Sequence, residues 1–140
     1  MADLSITVAN VEPGLAANGA LFSEGTAGGT ITAGQPLYID SGDSDSLKPC
    51  DADVEASADA VGIALHAALD GQPIEYQTSG PMDLGATLTV GAAYYVSDTA
   101  GGVKPAADLA AGEYVTLLGV ASAADVLEVR LLSTGAQVPA

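Results

Sequence analysis

Ile31-Thr32-Ala33-Gly34, Tyr38-Ile39, Lys48-Pro49, Gly62-Ile63-Ala64 and Thr78-Ser79-Gly80 recur in the same order as Leu88-Thr89-Val90-Gly91, Tyr95-Val96, Lys104-Pro105, Gly119-Val120-Ala121 and Ser133-Thr134-Gly135. The two series are offset by about 56 residues, in the range of one supersecondary unit copied in tandem. The chain thus carries repeat one, residues 31–80, and repeat two, residues 88–135, behind a leader, residues 1–28, that belongs to neither. With 140 residues there is chain for one domain, so residues 29–140 are read as a single β domain whose two copies share a core.

Within each copy, short β-branched and aromatic runs alternate with turn signals. Thr30-Ile31-Thr32 and Leu37-Tyr38-Ile39 flank Ala33-Gly34-Gln35-Pro36, and Thr87-Leu88-Thr89-Val90 and Tyr94-Tyr95-Val96 flank Gly91. Val61–Leu65 and Gln72–Thr78 follow as strands in repeat one, with Ile74 and Tyr76 on one face. Tyr114–Val120 and Val126–Leu132 follow in repeat two. Asp51–Ala60 and Asp108–Gly112 have room for a turn or two of helix. No long 3.6-residue period occurs. The expected fold is all-β: a compact antiparallel barrel or sandwich built from two pseudo-repeats, with an extended N-terminal arm. One copy alone has exposed edges and a single apolar face, and pairing with its twin covers both. Gly34 with Gly91, and Gly62 with Gly119, are expected at bulges or corners.

In the arm, Ser5-Ile6-Thr7-Val8 alternates as a short strand does, Glu12-Pro13-Gly14 and Asn18-Gly19 interrupt it, and Phe22 is its one large anchor. The arm fits either as an edge strand on its own barrel or as a strap on a neighbouring subunit.

Composition narrows the function. Hydrophobic residues make up 49% of the chain, which suits a folded body, yet 18 acidic residues against Lys48, Lys104 and Arg130 give a net charge of −15. Phosphate backbones and anionic membrane surfaces require clustered cations, so neither is an expected partner. The two lysines hold equivalent places and either pair with local carboxylates or meet an acidic partner, while Arg130 could pair with Glu113 or Glu128. Cys50, the only cysteine, is read as an inert structural thiol. No basic, apolar leader of the secretory type opens the sequence, so folding in a cytoplasm is expected. His66 is the sole histidine and is read as a surface or loop residue. Asp40, Asp43 and Asp45 do not follow the EF-hand series and are read as a solvated loop. No catalytic, cofactor-binding or metal-binding set is expected.

Ser5–Val11, Gly25–Tyr38, Val61–Ala64, Gly71–Ile74, Gln77–Gly80 and Gly91–Ser97, taken in this order and spacing, make the chain resemble tailed-bacteriophage capsid decoration proteins, also called head-stabilising or cement proteins. The resemblance implies a small non-enzymatic β protein on the exterior of the virion, synthesised in the host cytoplasm. It would bind the major capsid protein where subunits meet, as a homo-oligomer, with a trimer favoured, and its arm would reach neighbours. On that reading the contact residues are Ile6, Val8, Val11, Leu21, Phe22, Lys48 and Lys104. A second reading is a carbohydrate-binding or adhesin-like module of a phage tail or fibre, with Tyr76, Tyr94, Tyr95 and Tyr114 as sugar platforms. Strand alternation places Tyr94 and Tyr95 on opposite faces.

Overall fold

A computed structural model describes residues 3–139, and it is a curled antiparallel sheet. Ten strands run in chain order as β1 (Val11–Glu12), β2 (Leu21–Thr26), β3 (Pro36–Asp40), β4 (Ser46–Pro49), β5 (Gly62–Ala64), β6 (Pro73–Leu84), β7 (Ala93–Val96), β8 (Val103–Pro105), β9 (Tyr114–Ala121) and β10 (Val126–Gln137). Helix is confined to single turns, including α1 (Glu55–Ala58). The sheet is a half-barrel of the all-β class expected from the turn punctuation.

The main path is β4-β3-β5-β6-β10-β9-β7-β8, one strand order read forwards and then backwards about the β6–β10 pair. Equivalent residues make equivalent bonds. Leu37 faces Pro49 and Gly62 as Tyr94 faces Pro105 and Gly119, and Tyr38 faces Lys48 as Tyr95 faces Lys104. Gly34 N–H donates to Ala64 O and Gly91 N–H to Ala121 O, each at 2.8 Å. Both glycines take a left-handed φ, +88° and +83°, which a side chain at those corners would oppose. Gly62 and Gly119 lie within strands and serve close approach. A Cβ on Gly119 would come 2.1 Å from Glu128 O, and one on Gly62 2.3 Å from the Tyr76 ring.

Strand β6 joins the two lobes. Gln77 and Tyr76 have partners in both β2 and β5, Ser79 in both β2 and β10, and Asp83 in both β1 and β10. A residue in a sheet has only two lateral neighbours, so one edge of β6 carries β5 and then β10, and the other carries β2 and then β1. The strand changes course at Gly80, whose φ is +88°. The fully buried Gln77 fixes that bend: its amide nitrogen lies 2.8–3.0 Å from the carbonyls of Ser79, Gly80 and Pro81, and its Oε1 accepts Gly14 N–H. Leaving these groups unpaired in the interior would be costly, so the amide ties the leader to the bend.

The leader therefore lies on its own sheet. Beyond β1 and β2, Gly28 N–H donates to Leu47 O and Leu4 N–H to Val103 O, both at 2.8 Å. Leu47 and Val103 each precede the repeated Lys-Pro, so the leader closes the outer edge of both lobes at matching places. Several sequence expectations shift accordingly. Ser5–Val8 forms no ladder and leads into a 3₁₀ turn at Val8–Asn10, and the one-turn helix expected at 108–112 is instead a 3₁₀ turn at Ala106–Asp108. Pro105, which has no N–H for a ladder, ends β8 and starts that turn.

Two apolar clusters fill the interior. The larger combines Val11 of the leader, Cys50, Ala52, Ala60 and Ile63 of repeat one with Leu88, Tyr94, Val96, Leu118 and Leu127 of repeat two. The smaller, around Leu37, Leu47, Ile74 and Tyr76, is built from repeat one and Ala27. The copies share their main core, and repeat one keeps a second. Among the described residues no helix is long and apolar enough to cross a membrane.

Candidate interaction surface

The equivalent lysines mark the two hairpin corners. At the first, Lys48 Nζ lies 2.7 Å from Asp40 Oδ2 and 3.2 Å from Asp43 Oδ2, with 29% of the side chain exposed. Hydrogen bonds to those carboxylates push the Lys48 pKa up, and the same contact holds the Asp40 carboxyl below its usual value. The acidic loop thus serves its own lysine. At the second corner Lys104 is only 4% exposed. Its ammonium lies 2.9 Å from both oxygens of the buried Glu113 and 3.2 Å from Asp98 Oδ1, and it also donates to Asp108 O. Burial alone would lower its pKa, but the hydrogen bonds to Glu113 and Asp98 outweigh that and raise it. Ala110 N–H donates to Glu113 Oε2. Glu113 Oε1 meets the ammonium by charge alone and, among the described residues, Asp108 Oδ2 has no partner, so this corner holds more buried acceptors than donors.

Both lysines have thus resolved the open choice toward local carboxylates, and Glu113, one of two partners considered for Arg130, is taken by Lys104. Arg130 is exposed on β10 and makes no ion pair among the described residues. The charge of Asp51 is the main influence raising the pKa of Asp53; burial, Asp98 and Glu113 add to it. Among the described residues no group of three or more His, Cys, Asp or Glu side chains is arranged to hold a metal ion. Cys50 is fully buried, and burial pushes its thiol pKa well up, the condition of an unreactive sulfhydryl. His66 is half-buried beside β6: Nε2 accepts Glu75 N–H at 3.1 Å and Nδ1 faces Ala67 O at 2.9 Å, which specifies the Nδ1–H tautomer.

The remaining contact candidates divide by burial. Val11 is in the core and Ile6 packs against it, whereas Val8, Leu21 and Phe22 stand exposed. Of these exposed three, Val8 lies in the turn before β1, and Leu21 and Phe22 lie on β2. Tyr76 and Tyr94 are buried, and the Tyr94 hydroxyl accepts Thr89 N–H, so both are core residues; Tyr95, on the opposite face from Tyr94, and Tyr114 are partly exposed. Sequence reasoning passed over Leu15, Leu132 and the unpaired state of Arg130. The only signal for the last was arithmetical, two lysines each surrounded by acids and one arginine left over. No protein-family model matches the chain, and no curated protein sequence matches it.

Proposed function

We propose that this chain is a capsid decoration protein of a tailed bacteriophage. It binds the outer surface of the assembled capsid, stabilises the junctions between major capsid protein subunits, and performs no catalysis. The observation that carries this reading is the placing of exposed apolar side chains. Of the ten large hydrophobic residues that stand exposed among the described residues, Val8, Leu15, Leu21 and Phe22 lie in the short leader, which the sheet holds in place at both lobes. Apolar side chains presented on a rigid, strongly acidic body suit binding to another protein. The order of motifs along nearly the whole chain supports the same reading, and a homotrimer is the assembly proposed with it.

The test is addition of the protein to capsids stripped of decoration. Co-sedimentation with the shell and a higher temperature of packaged-DNA release are expected. Protein that stays in the supernatant and leaves the release temperature unchanged would sink the proposal.

A further inference from the structure

Arg130 is the basic side chain of the described residues that the fold leaves without a carboxylate, on a chain whose net charge is −15. A guanidinium offers five donors in a planar fork, and nothing in its own lobe uses them as an ion pair. Its setting is irregular on every side. β10 slips register against β9 between Val129 and Leu132, β6 slips against β2 opposite Leu21 and Phe22, and Gly80 bends β6. The three irregularities converge, because Ser79 has Leu21 as cross-strand neighbour on one edge and Arg130 on the other. Bulges re-aim side chains and interrupt pairing. Here they leave a surface hollow of about 480 Å³ lined by Thr78, Ser79, Gly80, Glu128, Arg130 and Leu131. Aliphatic side chains stand near both margins, with Leu21 62% and Leu132 57% exposed.

We propose that this hollow is the docking site for a segment of the shell protein that presents a carboxylate beside an aliphatic side chain, the carboxylate seated on Arg130 and the aliphatic group against Leu21 and Leu132. The proposal rests on the shell-binding function above. Charge complementarity selects the occupant. An acidic segment is repelled by most of this surface, Glu128 of the same hollow included, and attracted at Arg130, where a bidentate charge-assisted pair can form. Repulsion elsewhere also fixes the register, since wrong placements are disfavoured as the right one is favoured. A second copy of the chain carries carboxylates too, but each copy brings another −15, which opposes close approach.

Binding to decoration-free capsids, followed by co-sedimentation at several salt concentrations, tests the proposal. Arg130→Glu should weaken binding by about tenfold or more, as loss of a charge-assisted interface contact does. Arg130→Lys should fall between it and the wild type, and the double variant Leu21→Ser, Leu132→Ser should weaken binding with an unchanged salt slope. Asp70→Asn, an exposed charge in the turn before β6, should bind like the wild type. Unchanged circular dichroism establishes that each variant is folded. If the wild type binds and Arg130→Glu binds equally, the docking site is wrong while the function stands. Failure of the wild type to bind overturns both. If Arg130→Glu alters the mass by light scattering and leaves shell binding intact, the hollow belongs to self-association and the proposal is overturned.

Discussion

Lys48 and Lys104 occupy the same position in the two repeats, face equivalent tyrosines across equivalent hairpins and each hold two carboxylates, yet one pair system is at the surface and the other is inside. The difference comes from the path of the chain beyond each strand. After β8 the chain turns at Ala106–Asp108 and brings Glu113 over the ammonium, whereas after β4 it leaves toward α1 and the corner stays open. An exposed pair contributes about 0–1 kcal/mol, while removing one member of a buried pair costs about 3–5 kcal/mol. A duplicated motif can therefore keep its geometry and change its energetic role.

The largest break in this comparison is expected from the leader. Deleting residues 1–12 removes the Leu4–Val103 bond and β1, so hydrogen exchange should lose protection in β7 and β8 first and keep it in β3 and β5. A leader that merely strapped a neighbour would leave both lobes protected. Next comes Lys104→Ala, expected to cost about 3–5 kcal/mol in urea denaturation by leaving Glu113 charged and buried. The double variant Lys104→Met, Glu113→Leu should restore most of that loss, since it removes both charges together. If the single variant costs no more than Lys48→Ala, the contrast between corners fails.

A third probe compares the glycines. Gly119→Ala drives its methyl hard into the Glu128 backbone and should cost about 3 kcal/mol, whereas Gly62→Ala meets the Tyr76 ring and only more distantly Gln77 O and should cost about 2 kcal/mol. The smallest effect belongs to Lys48→Ala, a shift of the urea midpoint far smaller than that of Lys104→Ala and fading as salt is added. Its pH dependence has two ends. The raised Lys48 pKa contributes stability that is present below 10.5 and lost as pH rises through the folded value. The lowered Asp40 pKa contributes stability that is present above 3.8 and lost as pH falls through the folded value. Lys104 follows the alkaline rule as well, so its replacement should also flatten the alkaline limb of a urea-midpoint profile.

The repeat was legible because its signals are local. Gly34 and Gly91 answer to turn geometry, and Leu37 with Tyr94 answers to strand pattern, so each shows in the letters themselves. The strand β2 was not legible, because Leu21-Phe22-Ser23-Glu24-Gly25-Thr26 shows no alternation and is mostly exposed, and its ladder to β6 uses backbone groups that any residue supplies. The burial of Lys104 was hidden for another reason: Lys-Pro reads the same at both corners, and only the folding of Glu113 over one of them separates the two. Gln77 gave no signal either, since what distinguishes it is the company of Gly14 and the bend at Gly80, brought together by the fold.

The closing of both lobes by the leader also sets the order in which the protein can be finished. Ser97 Oγ donates to Asp3 Oδ1 across 94 positions of sequence, and Leu4 must wait for Val103 to be made. At about 5–20 residues per second, the leader leaves the ribosome roughly 5–20 s before its last partner strand exists. Leu21 and Phe22 travel on an unpaired segment until β6 has been made, and the second lobe can close only after β10 has been synthesised. Long-range pairing of this kind slows folding, so refolding should be rate-limited by docking of the leader and slower than formation of either hairpin.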